Sequence, residues 1–590
     1  MRRIIATGSF VLALVICIYE QPISYAQHPK SKATKGKIAA AAAFGNSDAI
    51  TEQELKIYDY FLASDQLEGR NLPSRGFDTA ALYVASHLAE WGIKPAGSTA
   101  ATNGPLQAYF MPFELVAKQV IAEESKASVT GPGGRGGAGG GRSGPRNTDF
   151  EYGKDWMVMG GRGAAPAEAF EAAGNLVFAG NGYIIHKTNI NPFDGLDVKG
   201  KIVVVAGLPP EIAAQQNAPR GTPNPLGENC TDFLTPEEAA AKNGALAVVK
   251  VATFRQLEAM SNPNPAGSNA GGFAAASVVG RPTGPNGLAY QVNKFHSEAC
   301  PAAPSVTAGV ALTTSIFAGE KQSAEQIFYA SGSNVKQDGF ALKAEKKINL
   351  HVAVKDTPGH AENVVGLIEG SDPVKKNEYV VISAHLDHIG LIAAAPGVHN
   401  INNGADDDGS GSTGLLGIAH AYAEGLAKGI RPERSIIFLW NAGEEKGLWG
   451  SQYFAEFPSV DISKVVANLN IDMIGRTKGS GFSDSDATHV LVNPGEILLV
   501  GPNISSDELE KTIETTNNSY QKLVLNHFYD ATAPDKTHDN LGPQPRGQRI
   551  FYRSDHYNFA KVGVPICFFT TGLHPDYHRP TDTPDKIDYK

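Results

Sequence analysis

Five polar segments toward the C-terminus hold the side chains best suited to chemistry. In order they are His385-Leu386-Asp387-His388, the run Gly404-Ala405-Asp406-Asp407-Asp408-Gly409-Ser410-Gly411, then Asn441-Ala442-Gly443-Glu444-Glu445, then Asp472, and last the pair His574 and His578. Imidazole and carboxylate together suit zinc, and sets without cysteine often leave a coordination position open for catalysis. Two neighbouring ions need a bridging carboxylate and further ligands for each, and His385, Asp407, Glu445, Asp472 and His578 can supply them. Taken singly, each segment is ordinary. A His-x-Asp after a strand is usually a surface turn, adjacent aspartates usually cap a helix or face water, and a Glu-Glu pair is usually exposed. The three aspartates are adjacent rather than alternating, which excludes an EF-hand loop. Their order and shared placement set these segments apart.

The elements upstream determine that placement. Apolar runs suited to strands cover Asn363–Ile368, Tyr379–Ser383, Ser435–Trp440, Val465–Ile471 and Val564–Phe569, and the pattern predicts a helix over about 411–427. Four of these strands are followed at once by acidic or histidine residues, and sites in open α/β sheets form beyond the carboxyl ends of strands. Near-continuous apolar strands alternating with helices predict an α/β fold whose sheet is covered on both faces. Nearer the N-terminus, Leu55, Tyr58 and Leu62 are at helical spacing, and a second helical pattern runs from Thr79 to Trp91 and stops at Gly92. The middle of the chain carries strand runs at Leu176–Gly180, Lys201–Val205 and Ala245–Val249 and a helix at Pro236–Asn243, but no cluster of potential catalytic residues.

Bulk properties narrow the function classes. The chain has 590 residues, enough for more than one folding unit, with 42% hydrophobic and 19% charged residues and a formal net charge of −10. A negative balance argues against nucleic-acid binding, which needs a basic face. Met1-Arg2-Arg3, an apolar core from Ile4 through Ile18 and the small-x-small site Ser24-Tyr25-Ala26 read as a signal peptide over 1–26, so a secreted or periplasmic protein with no membrane span after cleavage is expected. Residues 27–45 read as an exposed leader, and 131–146, almost all Gly, Arg, Pro and Ser, as a mobile loop. Of four cysteines, Cys230 and Cys300 can pair in an oxidising compartment, while Cys567 lies in an apolar run and reads as core.

The polar segments also carry a resemblance. Their order of His-x-Asp, Gly-Ala-Asp-Asp-Asp-Gly-Ser-Gly, Glu-Glu-x-Gly-x-x-Gly-Ser, Asp-Met-Ile-Gly-Arg and the closing His-x-Pro-x-Asp-Thr resembles the co-catalytic zinc aminopeptidases. That family includes bacterial leucyl-type aminopeptidases, aminopeptidase Y and the glutamate carboxypeptidase II group. Leu62–Arg70 and Ala80–Pro95 resemble its N-terminal segment, and Gly195–Val205 with Ala239–Ala245 is similar to a protease-associated domain. The resemblance implies a mixed, largely parallel central sheet flanked by helices, built from 46–120 and 346–590, with a smaller α/β protease-associated domain inserted at 121–345. It implies two zinc ions per chain. Asp407 would bridge them, joined to Asp408 by what is often a cis peptide. His385 and Asp472 would bind one ion, and Glu445 and His578 the other. Asp387 would orient the His385 ring, Glu444 would be the general base, and the substrates would be peptides with a free N-terminus. The resemblance also implies a further helix after Tyr589, so the end at Lys590 reads as a shortened C-terminus. A glutamate carboxypeptidase-like or dipeptidase activity is the main alternative, for which Arg553 is the one evident carboxylate-holding candidate. A glutaminyl cyclase-like acyltransferase and a receptor-like binding protein are weaker ones.

Overall fold

The structure is a computed structural model that describes residues 46–100, 104–131, 146–159, 168–216, 225–261, 288–295, 300–392, 397–479, 490–530 and 550–590. The expected signal peptide and leader, and all but the two ends of the Gly-rich run, lie outside the described residues.

Among the described residues, the main sheet has ten strands. Nine of them are β1 (Phe110–Val120), β2 (Tyr290–Val292), β3 (Val354–Ile368), β4 (Tyr379–His385), β5 (Ser435–Asn441), β6 (Val465–Ile471), β7 (Glu496–Val500), β8 (Val524–Asn526) and β9 (Ile566–Thr570). Their order across the sheet is β2-β1-β3-β5-β4-β6-β9-β7-β8, and a short strand, Lys94–Pro95, pairs with β3. The four central strands, β5, β4, β6 and β9, are parallel to one another, while β3 and β7 join them antiparallel. The reason is visible in sequence. Val380, Val381 and Ile382 in β4 and Ile436 through Trp440 in β5 are completely buried, so neither face of these strands tolerates a polar alternation.

Three helices matter for the site: α1 (Glu52–Leu62), α2 (Arg75–Glu90) and α3 (Gly411–Ala427). Helix α3 makes the crossover that parallel neighbours β4 and β5 require. Helix α2 starts four residues before the sequence pattern, because the Ser74 hydroxyl accepts from the Phe77 amide and caps it. It buries Phe77, Ala80, Ala81, Val84, Ala85 and Leu88 against the main core.

A second sheet of nine strands contains, in order, 146–150, 126–131, 347–352, 170–178, 202–206, 247–251, 305–308 and 156–157, with 340–341 beside 170–178. Its core is separate from that of the main sheet. The two sheets exchange strands across the boundaries expected from sequence: Lys347–Val352 pairs in the second sheet, and β2 pairs with β1 in the first. Cys230 and Cys300 are disulfide-bonded, and Cys567 is buried. Among the described residues, no helix is long and apolar enough to cross a membrane.

Candidate metal centre

Strand β4 occupies the point where the strand order reverses, since the chain leaves it for β5 on one side and then crosses to β6 on the other. Crevices beyond the carboxyl ends of strands open at such points. His385 ends β4, Glu444 and Glu445 follow β5, Asp472 follows β6, and His574 and His578 follow β9. Asp407 enters from the loop before α3, and the Asp407–Asp408 peptide is cis.

These residues converge. One Asp407 oxygen is 3.2 Å from His385 Nε2 and the other is 3.0 Å from His578 Nε2. Asp472 approaches the same His385 nitrogen at 3.7 Å. Glu445 is 3.2 Å from His578 Nε2 through one oxygen and 2.8 Å from His388 Nδ1 through the other. Two ligand sets therefore share Asp407: His385 with Asp472 on one side, and His388 with Glu445 on the other, each with donor atoms within 4.8 Å of one another. His578 reaches the second set. All five residues expected to hold metal are thus brought together. His388 joins them although sequence reasoning gave it no role; its signal was its place three residues after His385 on the same strand exit.

A cation fits this arrangement. Burial without a partner is costly for a polar atom. Yet His385 Nε2, both ring nitrogens of His388, Asp407 Oδ2 and Glu445 Oε1 are buried without a hydrogen-bond partner. The set of imidazole and carboxylate donors without thiolate is one that zinc accepts.

Other residues hold the donors in place. The His385 Nδ1 lies 3.0 Å from the Asp387 backbone oxygen, which leaves Nε2 aimed at the carboxylates. The Asp387 carboxylate is 3.9 Å from that ring. It accepts instead from the amides of Gly443, Glu444 and Glu445. Orientation of the ring, expected of the side chain, therefore falls to the backbone carbonyl, because the carboxylate turns toward the glutamate loop. Asp582 accepts from the Asp406 and Asp407 amides. Asp406 in turn lies 3.1 Å from His574 Nε2. Ser554 donates to Asp472 at 2.7 Å. Asp408 accepts from the amides of His385, Gly411 and Met473, so the acids at 406, 408 and 582 are scaffold. Their roles depend on partners distant in sequence, so no local motif announces them.

Glu444 points elsewhere than its neighbour. It lines a cleft of about 450 Å³, open mouth included, together with Asp407, Asp472, Met473, Phe568, Arg553 and Tyr577. Burial first, and then the charges of Glu445, Asp472 and Asp555, push its carboxyl well above the usual range, with His385 opposing. Glu445 behaves oppositely. Burial and Asp407 raise it, but the His578 and His388 rings outweigh them and bring it to about 2. Two adjacent carboxyls with divergent proton affinities suit a ligand and a proton carrier.

Residues 363–590 match the profile of peptidase family M28. The matched stretch covers β4 to β9 and every residue of the two ligand sets. The chain is 30% identical over 225 residues to a probable leucine aminopeptidase of Arthroderma otae, covering 37% of this chain and 50% of that protein. It is 28% identical over 239 residues to an aminopeptidase of Pseudomonas aeruginosa, covering 40% of this chain and 36% of that one. The chain spans about half the length, or less, of these curated relatives. Among solved structures it is similar to a zinc aminopeptidase of Bacillus subtilis, with a TM-score of 0.37, 16% identity, and coverage of 92% of this chain and 91% of that one.

Proposed function

We propose that this chain is a zinc aminopeptidase that hydrolyses the first peptide bond of substrates with a free N-terminus. The observation that carries the reading is Asp407, whose two oxygens face two different sets of imidazole and carboxylate donors. His385 and Asp472 would hold one zinc, Glu445 and His578 the other, and Asp407 both. The buried, partnerless donor atoms support this assignment. His388 lies beside this set, its Nδ1 2.8 Å from Glu445. When bound, the two ions supply Lewis acidity that lowers the pKa of a shared water and polarises the scissile carbonyl.

The remaining steps belong to the protein. Glu444, in the cleft and with a raised proton affinity, takes a proton from the attacking water and hands it to the leaving amine. A general base works best when its pKa lies near the working pH, and burial is how carboxyls get there. The cleft wall is largely apolar, with Met473, Ile550, Phe568 and Leu573, and suits an aliphatic or aromatic side chain. Arg553, which donates to the Tyr577 hydroxyl at 3.1 Å, is the one arginine lining it among the described residues.

The segment at 121–345 is read as a protease-associated insertion that gives no zinc ligand. Among the described residues, its single group of three potential ligands is Cys230, Glu238 and Cys300, whose sulfurs are joined in the disulfide. Export with cleavage near Ala26 belongs to the same reading. A panel of aminoacyl-nitroanilides, free peptides and N-acetylated peptides tests the activity. Free N-termini are expected to be cleaved and acetylated ones spared. Efficient release of a C-terminal residue from an acetylated peptide would replace this reading with the carboxypeptidase one.

A further inference from the structure

The motif Leu62–Arg70 lies outside the match to family M28 and contributes no ligand, yet it ends in one of the largest fully buried side chains of the molecule. Arg70 is 1% exposed. A buried guanidinium normally finds a carboxylate, but among the described residues this one hydrogen-bonds only to backbone carbonyls. Nε donates to Leu386 O at 2.7 Å. Nη1 donates to Leu62 O at 2.5 Å and Asn403 O at 2.7 Å. Nη2 donates to Gly404 O at 3.0 Å.

Those carbonyls have particular neighbours. Leu386 lies between His385 and Asp387. The Arg70 backbone oxygen also accepts from the His388 amide at 3.3 Å. The residue therefore bonds both sides of Asp387, once through its side chain and once through its backbone. Asn403 and Gly404 lead directly into Asp406-Asp407-Asp408. Gly404 is itself at φ 61, and a Cβ there would lie 2.6 Å from the His388 ring. One side chain thus ties together the two loops that deliver His385, His388 and Asp407.

The local chain is shaped for this purpose. Glu68, Gly69 and Arg70 all have positive φ, at 49°, 69° and 49°, a region that non-glycine residues seldom occupy. Gly69 presses so closely against the paired strands Gly390–Leu391 and Ile401–Asn402 that a Cβ would lie 2.2 Å from Asn402 O. This left-handed turn drives the Arg70 side chain inward between the two loops.

We propose that Arg70 is the positioning residue that sets the spacing between the His385–His388 loop and the Asp407 loop, and hence the affinity of the centre for zinc. The inference rests on the two-zinc reading of the site. A planar fork with donors on three nitrogens can reach four carbonyls in different directions. The single ammonium of lysine cannot. The Arg70 charge also lies near Asp59, Asp387, Asp407 and Asp408, which all favour it against the cost of burial.

The test uses the full chain stripped of metal, with Zn2+ titrated in competition with a chromophoric chelator, on wild type, Arg70→Lys and Arg70→Ala. Arg70→Lys is expected to stay folded and bind zinc about 10–100-fold more weakly, the usual cost of losing a group that orients metal ligands. Its kcat should fall with KM little changed. Millimolar guanidinium, but not ammonium, should restore part of the zinc affinity of Arg70→Ala. Wild-type zinc affinity in either folded variant, or unfolding of both, overturns the positioning role. If wild type itself takes up no zinc, the two-zinc reading fails first, and the two failures are distinguished.

Discussion

Among the described residues, two places bring a histidine together with two carboxylates at ligand spacing, and they differ in nearly everything else. The first is the buried pair of sets around Asp407. The second is Asp78 on α2 with His360 and Glu362 on β3. In the second, His360 and Asp78 side chains are 65% and 39% exposed and stand 3.8 Å apart. It lies on the antiparallel part of the sheet, where β3 pairs with β1, and water can serve its polar atoms. Around Asp407 the donors other than His578 are buried, several are left without a hydrogen bond, and their backbone is held by Arg70, Asp387 and Asp582. Proximity is common. What marks a site is proximity combined with desolvation and a framework that forbids relaxation.

Breaking the shared carboxylate is expected to have the largest effect. Asp407→Asn removes a charged ligand from both sets, and a neutral amide is a poorer ligand. Zinc content should drop from two per chain toward zero, with turnover below that of any other variant named here. Retention of both zincs by the folded protein would remove the bridging role.

Next come the two glutamates after β5. Glu444→Gln is expected to keep two zincs and its affinity for substrate while losing about 10²–10⁴-fold in kcat, the range general-base catalysis contributes. Glu445→Gln should instead lose about one zinc. Metal analysis beside steady-state kinetics decides between them, and exchanged phenotypes would reverse the two roles.

A smaller effect asks whether an orphaned carboxylate alone makes a site. Asp530 is 1% exposed, and its Oδ2 also lacks a hydrogen-bond partner, but it belongs to no ligand set. Burial raises its pKa from 3.8 to about 7, helped by Glu510 and opposed by the Gly501 amide. The folded state then binds more protons than the unfolded state between about pH 4 and pH 7. This group's contribution is therefore whole below pH 4, lost as pH rises through that window, and absent above it. Asp530→Asn should raise stability at pH 8 by on the order of 1–3 kcal/mol and leave it unchanged at pH 4. Denaturant melts at the two pH values check this, and a zinc content altered by the substitution would contradict the distinction drawn here.

The smallest expected effect is none. His360→Ala should leave zinc content and kcat/KM at wild-type values, because His360 is exposed and its two carboxylates are only part-buried. Loss of one zinc equivalent would show that surface proximity is sufficient after all.

The central strands and α3 were legible in sequence because burial on both faces forces long apolar runs, and α3 spans 411–427 as its pattern predicts. His385, Asp407, Glu445, Asp472 and His578 were legible for a related reason. An apolar strand in an α/β sheet ends in a crevice, so the polar residue after it is marked by the strand itself. Other roles were invisible because they are contacts between segments far apart in the chain. Asp387 serves the loop after β5, Asp582 caps the aspartate loop from 175 residues away, and Arg70 reaches 334 residues ahead to Gly404. The exchange of β2 and Lys347–Val352 between sheets is of the same kind, since short strands choose partners by register and edge availability. Residue types and strand order therefore determined which groups this protein brings to one place. Only the tertiary structure decided which of them meet the metal face and which hold the others still, because a hydrogen bond depends on distance and direction in space, and neither is written in the order of residues.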